Sequence, residues 1–223
     1  MIPIPLRSTE RLSAASVVTL MLMVVNTCVF IYEWSLSPAD LNHLVMQYGI
    51  VPDRLQITSL FTSMFLHGGW LHLIGNMLYL WVFGRNVEDL IGSVRFLLFY
   101  ILCGLLAAVV HIIFNAYSAA PTIGASGAIA GVMGAFLVKF PRARIITLMW
   151  IFFFVTTLEI PAPILLILWF AGQFFSGFGS LGETDYTGGG TAYFAHIGGF
   201  LAGMLLIRMF PAQKRFRAWY DTE

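Results

Sequence analysis

Charge is what this sequence has least of. Only 10% of its 223 residues are Asp, Glu, Lys or Arg, against 59% hydrophobic, and the mean hydropathy is +0.84. A soluble domain carries about a quarter of its residues as charges, so this chain could not cover its own surface with polar side chains. An ordinary soluble fold is excluded, and an all-α membrane protein is predicted. Twelve basic residues against eleven acidic ones leave a net charge of +1, too little to hold a nucleic acid. Cysteine is scarce as well: Cys28 and Cys103 both fall inside apolar runs, so no disulfide is expected. No histidine is followed by glutamate, which excludes a His-Glu-x-x-His zinc site, and no metal or cofactor is expected. No aspartate lies in the interior of an apolar run, so a two-aspartate membrane protease is excluded too. The chain also lacks a P-loop and a dinucleotide fingerprint.

What is there is a series of long apolar runs. Roughly 20 apolar residues cross a bilayer, and six runs are read as spans: 14–34, 70–83, 94–115, 123–140, 161–178 and 192–210. The second continues to Glu88 as a capped end, and Pro211 stops the last. Pro161 and Pro163 break the long block from Ile145 to Phe178. Proline ends the preceding helix and suits the first turn of the next, so 145–160 reads as an amphipathic or partly inserted loop. A seventh span stays open there. The first run is followed by Tyr32, Glu33 and Trp34, which read as an interfacial anchor, so it is taken as a retained helix and not a signal peptide. The organisation is then a cytoplasmic N-terminal segment (1–13), a six-helix domain (14–210) and a basic cytoplasmic tail (211–223).

The few charges orient the bundle. With the N-terminus cytoplasmic, the cytoplasmic side holds Arg7, Arg11, Arg85, Arg95, Lys139, Arg142, Arg144, Arg208, Lys214, Arg215 and Arg217, leaving only Arg54 outside. The reverse orientation would violate the positive-inside rule almost completely. N-in and C-in is the expectation.

Strongly polar groups at membrane depth are costly, by some ~2.5–3.5 kcal/mol for a central charge, so each is a functional hypothesis. Four stand out: His72 and Asn76 on the second span, Ser126 on the fourth and His196 on the sixth. Each of those spans starts outside, so all four residues lie at one depth in the outer half of the membrane. His72 and Asn76 are four apart and share a helix face. Gly127 and Gly131, and Gly199 and Gly203, form GxxxG pairs that let helix backbones approach closely. A serine and a histidine at the outer ends of two such helices make a nucleophile and its base. His72, Asn76 and the backbone N–H of Ser126 would then receive the oxyanion of a tetrahedral intermediate. Singly, each residue has a plainer reading: a serine bonded to its own helix, an asparagine joining helices, a packing histidine. The joint placement favours chemistry. His67 and Gly124 are candidates for shaping the site, together with Gly199. His43 and His111 read as structural or solvated, and Glu88 and Asp89 as caps or partners of Arg85 and Arg95. Glu183 and Asp185, in the loop before the last span, are not expected to orient the base.

These residues carry a resemblance to the rhomboid intramembrane serine proteases. It rests on His67-Gly-Gly-Trp-Leu-His72-Leu-Ile-Gly-Asn76, Gly124-Ala-Ser126-Gly127, Ala195-His196-Ile-Gly-Gly199-Phe-Leu-Ala-Gly203 and Gly84-Arg-Asn-Val-Glu88, and covers nearly the whole chain from the first span on. The resemblance implies a six-transmembrane-helix rhomboid-like bundle, Ser126 as nucleophile, His196 as base, and His72 and Asn76 at the oxyanion. It also implies cleavage of transmembrane segments of membrane proteins near the outer face, without a cofactor. The setting would be the bilayer of a bacterial cytoplasmic membrane, with the site opening to the extracytoplasmic side. The fifth helix and the loop with Gly188-Gly-Gly190 would act as gate and cap. Two departures are visible: some members carry a tyrosine four residues after the serine, where this chain has Ala130, and some carry a Trp-Arg pair in the first loop. The competing readings are a catalytically inactive rhomboid-like protein that captures membrane helices for quality control, and a small transporter.

Overall fold

Three helices are long and apolar enough to cross a membrane in the computed structural model, which describes residues 4–151, 154–179 and 192–213. In chain order the elements are β1 (Ile4–Ser8), α1 (Val17–Ser35), α2 (Pro38–Tyr48), α3 (Ser59–Thr62), α4 (Trp70–Tyr79), α5 (Arg85–Ile91), α6 (Ser93–Phe114), α7 (Ser126–Lys139), β2 (Arg144–Ile151), β3 (Phe154–Pro161), α8 (Ala162–Gly179) and α9 (Tyr193–Leu206). The three long helices are α1, α6 and α8, and α7 and α9 are shorter apolar helices. A π-helical turn, Leu80–Gly84, joins α4 to α5, and the resulting rod over 70–91 is roughly 33 Å long at 1.5 Å per residue. Among the described residues, α1, this rod, α6, α7, α8 and α9 cover the six apolar runs, three of them at membrane-crossing length.

The middle of the bundle is α7. Every residue from Gly127 to Phe136 is buried, as a helix apolar on all sides must be. Close approach is what its small residues provide. A Cβ on Gly127 would stand 2.8 Å from the Cβ of Ala107 on α6, and one on Gly131 would stand 2.5 Å from that of Cys103. Cβ atoms on Gly134, Gly199 and Gly203 would fall onto the backbone carbonyls of Phe200, Gly127 and Gly131 respectively. Helices α7 and α9 thus touch backbone to backbone, with no side chain between them.

A buried carboxylate ties the start of α1 to the end of α5 and the start of α6. Glu88, 1% exposed, accepts the Val18 N–H at 2.9 Å, the Thr19 N–H at 2.7 Å, the Thr19 hydroxyl at 2.7 Å and the Ser93 hydroxyl at 2.7 Å. It satisfies N–H groups at the start of α1 that have no acceptor within the helix and sits at the positive end of that helix dipole. Asp89 holds Ser13, accepting its N–H at 2.8 Å and its hydroxyl at 2.7 Å. Glu88 is a cap, as one of the two sequence readings had it, whereas Asp89 pins the irregular segment ahead of α1. Arg85 instead lies 3.9 Å over the Trp81 ring, and Arg95 donates to the Pro211 carbonyl at 3.2 Å.

The structure corrects the expectation of an all-α fold. In the segment read as an amphipathic or partly inserted loop (145–160), β2 and β3 pair, and the N-terminal segment adds a strand to them in the order β1-β2-β3, antiparallel throughout. Ile145 and Thr147 are buried while Arg144 is exposed and Ile146 half-exposed. That is the alternation of a one-faced sheet, and Ile, Thr and Val suit its pleat. The alternation was hidden because apolar residues occupy both faces. Pro161 ends β3 and α8 starts at Ala162. The long connection from α1 to α4, read without elements, holds α2 and α3. Ser37 caps α2, accepting the Asp40 N–H at 3.2 Å, with Pro38 at its first position. The three-residue anchor also divides: Tyr32 and Trp34 are exposed, but Glu33 is 2% exposed. Glu183, Asp185, the Gly188–Gly190 run, Lys214, Arg215 and Arg217 lie outside the described residues.

Candidate active site

Ser126 is the first residue of α7 and His196 lies one turn into α9. The backbone-to-backbone seam below them sets their separation. The Ser126 hydroxyl donates to Nε2 of His196 at 2.8 Å, the contact through which an imidazole takes a proton from a nucleophile. Gly199 does not line the site. It serves by removing the side chain that would hold α9 away from α7.

His72 and Asn76 stand on consecutive turns of α4 and face the same groove. Its volume is about 780 Å³, and Leu71, His72, Asn76, Ser126, Trp169 and His196 are among its lining residues. The Gly68 N–H donates to Nδ1 of His72 at 3.3 Å. With Nδ1 accepting, the imidazole proton of His72 sits on Nε2, which makes that nitrogen a donor. Asn76 is 7% exposed, and its Nδ2 is buried with no hydrogen-bond partner among the described residues. A buried amide donor left unpaired is costly, and this one lines the same groove as Ser126. Ser126 adds a backbone N–H from the first turn of α7, where the helix has no acceptor of its own to offer it.

Gly124 explains itself by geometry. Its φ is +126°, a backbone region that side chains disfavour, and a Cβ there would stand 2.7 Å from Cε1 and Nε2 of His72 and 3.7 Å from Nδ2 of Asn76. A side chain at 124 would occupy the space between the two donors. The Gly124 N–H is held by the Ser63 carbonyl at 2.8 Å. His111 supports the same approach to Ser126: it is 7% exposed and bonds Thr122 Oγ1 through Nε2 at 2.8 Å. It is structural. His43 is exposed on α2.

His67 lies behind His72 in the loop ahead of α4, its ring 5.2 Å from the His72 ring and edge-on to Phe30 at 6.5 Å. Its backbone N–H donates to both carboxylate oxygens of Glu33, at 3.1 and 3.3 Å. Burial, and secondarily the neighbouring His72, push the His67 imidazole down to about 4, so it is neutral at physiological pH. It braces His72 and does not line the groove. Glu33 had no part in the sequence reading of the site, yet it is a buried acid two contacts from His72.

A further pair of residues was missed. On α8, Gln173 Oε1 lies 2.6 Å from Nδ1 of His196, and the Trp169 ring packs against the same imidazole at 5.7 Å between centroids, tilted by 37°. Ala130 is fully buried in the core, so ring support comes from α8 and not from α7. The signal was legible: Gln173 is an amide in an otherwise apolar span, and the rule that singled out Asn76 applies to it equally.

A rhomboid domain model matches residues 54–213, a stretch that holds His72, Asn76, Ser126, Gln173 and His196. The chain belongs to the rhomboid family. Among its relatives, the rhomboid protease GluP of Bacillus subtilis (strain 168) is 45% identical over 78 residues, which is 35% of this chain and 15% of that protein. RHOMBOID-like protein 1 of Arabidopsis thaliana is 32% identical over 161 residues, 72% of this chain and 36% of its own length. RHOMBOID-like protein 7 of the same plant is 29% identical over 161 residues, again 72% of this chain and 45% of its own. The chain thus spans less than half the length of these rhomboid relatives. Membership makes it a multi-pass membrane protein built as a helical bundle.

Proposed function

We propose that this rhomboid is an intramembrane serine endopeptidase that hydrolyses peptide bonds in or near transmembrane segments of other membrane proteins. The observation that carries the reading is the 2.8 Å bond from the Ser126 hydroxyl to His196 Nε2, at the head of a groove with a buried, unpaired amide donor. His196 takes the hydroxyl proton as Ser126 Oγ attacks the scissile carbonyl carbon. The oxyanion forms among the Ser126 N–H, Nε2–H of His72 and Nδ2 of Asn76. One such donor is worth about 2.7–4 kcal/mol of transition-state stabilisation. The proton then passes from His196 to the leaving amine, and water, deprotonated by the same imidazole, hydrolyses the acyl-enzyme. No cofactor enters this sequence.

Depth supports the choice of substrate. Helix α7 has 14 residues, roughly 21 Å of rise against a hydrocarbon thickness of about 30 Å. With the basic residues on the cytoplasmic side, Ser126 lies below the extracytoplasmic surface, open to the groove between α4 and α8. A transmembrane segment enters sideways there, with α8 as the gate. The orientation is N-in and C-in, in a bacterial cytoplasmic membrane.

The experiment is incubation of the purified protein with a labelled fluorophosphonate and with a model transmembrane substrate. Wild type labels and cleaves, and Ser126→Ala does neither. A wild type that neither labels nor cleaves overturns the protease reading and leaves an inactive binder of membrane helices. Cleavage by Ser126→Ala at the wild-type rate overturns the assignment of the nucleophile.

A further inference from the structure

We propose that Gln173 is a positioning residue for the base: its side-chain oxygen holds His196 in the one tautomer and orientation that can serve Ser126. The proposal rests on the protease reading above and adds a third member to the pair.

The argument is one of proton placement. A neutral imidazole has one N–H and one lone pair. To accept from Ser126, Nε2 must present its lone pair, so the ring proton must sit on Nδ1. Gln173 Oε1, 2.6 Å from Nδ1, is an oxygen that can only accept, and it therefore selects that tautomer. The opposite tautomer would set a lone pair against a lone pair at Gln173 and an N–H against the serine oxygen. When His196 takes up the serine proton, the Nδ1–H becomes a charged donor and the bond to Oε1 strengthens, so the contact favours the step that follows.

Position on the helix reinforces the chemistry. Trp169 and Gln173 are four apart and share one face of α8. Trp169 packs beside the His196 ring, tilted by 37° at 5.7 Å, while Gln173 holds its Nδ1, so both contacts from α8 restrain the ring. An amide suits this depth better than an acid. The orienting partner in a serine triad is usually a carboxylate, but a carboxylate here would add a charge to a buried site in the apolar part of the bundle. Asparagine orients the base of cysteine proteases in the same neutral way.

The test uses Gln173→Leu and Gln173→Glu in the purified full chain, with Ser126→Ala as control. Losing the acceptor leaves a buried Nδ1–H unpaired, so Gln173→Leu lowers kcat roughly 10- to 100-fold with KM little changed. Gln173→Glu keeps an acceptor at the same reach and retains most of kcat. Its carboxylate stabilises imidazolium, so the acid limb of the pH–rate profile moves upward by about one pH unit or more. Nitrogen NMR of labelled imidazole gives a readout independent of turnover: Gln173→Leu shows loss of the Nδ1–H tautomer.

Unchanged kcat and tautomer in Gln173→Leu overturn the proposal, as does equal loss in both variants with an unmoved acid limb. If Gln173→Leu does not fold, the acid limb of Gln173→Glu decides: a shift supports the proposal and its absence overturns it. An active wild type and a dead Ser126→Ala, beside Gln173 variants that behave as wild type, sink this inference and leave the protease reading standing. A wild type that neither labels nor cleaves sinks both.

Discussion

Gly199→Ala is the smallest change that bears directly on the catalytic geometry. A Cβ at 199 would fall onto the Gly127 carbonyl oxygen, with the carbonyl carbon at 3.0 Å and the Ala107 Cβ at 3.3 Å. Backbone cannot rotate away as a side chain can. The overlap with the carbonyl oxygen is the deepest, and carbon–oxygen contacts settle at about 3.3–3.6 Å, so α9 must retreat from α7 by more than about 1 Å at this level. His196 lies one turn above on α9, and Gly127 is the residue after Ser126. The same retreat therefore opens the 2.8 Å Ser126–His196 bond. A 1 Å misplacement costs ~10²-fold in rate, and overpacking costs about 1–3 kcal/mol in stability. The assay is turnover of a transmembrane substrate alongside thermal unfolding in detergent. Activity should fall by about two orders of magnitude with a modest drop in Tm, and the larger Gly199→Val should be worse on both counts. A Gly199→Ala protein with wild-type turnover and Tm would refute the claim that the seam sets the site.

Three further predictions follow other parts of the site and its frame. Asn76→Ala should lower turnover by about 10²–10³-fold, the usual cost of an oxyanion donor, while Tm holds or rises because a buried unpaired N–H is removed; unchanged turnover would take Asn76 out of the oxyanion site. Glu88→Ala leaves the N–H groups of Val18 and Thr19 without their acceptor, and should cost about 2–4 kcal/mol, read as a lower Tm with kcat kept at low temperature. Because the folded state holds His67 down to about 4 against an ordinary 6.5, the unfolded chain binds the extra proton between those values. Stability is then full above pH ~6.5 and falls as the pH drops toward ~4, and His67→Gln should flatten that part of a Tm-against-pH curve.

The helices and the placement of the four polar residues around one groove were legible because each depends on local pattern. Apolar length marked the helices, and Pro161 and Pro211 sit at their boundaries. His72 and Asn76 declared themselves by a four-residue spacing on one helix. The sheet was not legible, since the alternation of Ile145, Ile146 and Thr147 is drowned where both faces are apolar, and since β1 pairs with a strand some 140 residues away. Gln173 was visible as a polar residue in an apolar span, but its partner was not: which face of α8 turns inward depends on packing of Trp169 and Phe170 against Phe200 of α9. Glu33 misled for the opposite reason. An acid beside two exposed aromatics looks interfacial, and only the return of the chain at His67 buries it.

Helix α8 is a beam clamped at its N-terminal end: the Ala162 N–H donates to the Ala143 carbonyl at 2.9 Å, and Ala162 and Leu166 are fully buried. Farther along, it rests on ring edges, Phe178 against Phe114 and Phe194 at 6.3 and 5.7 Å, while Ile164, Leu168 and Phe175 are exposed. Gln173 rides eleven residues from the clamp, a lever arm of roughly 16 Å. A tilt of about 10° carries it roughly 3 Å, farther than the length of its bond to His196. On the proposed reading, a substrate helix that pushes the beam aside disconnects the base as it enters. Cutting then waits until the beam springs back against the imidazole, and segments too bulky to let it return are held without being cleaved.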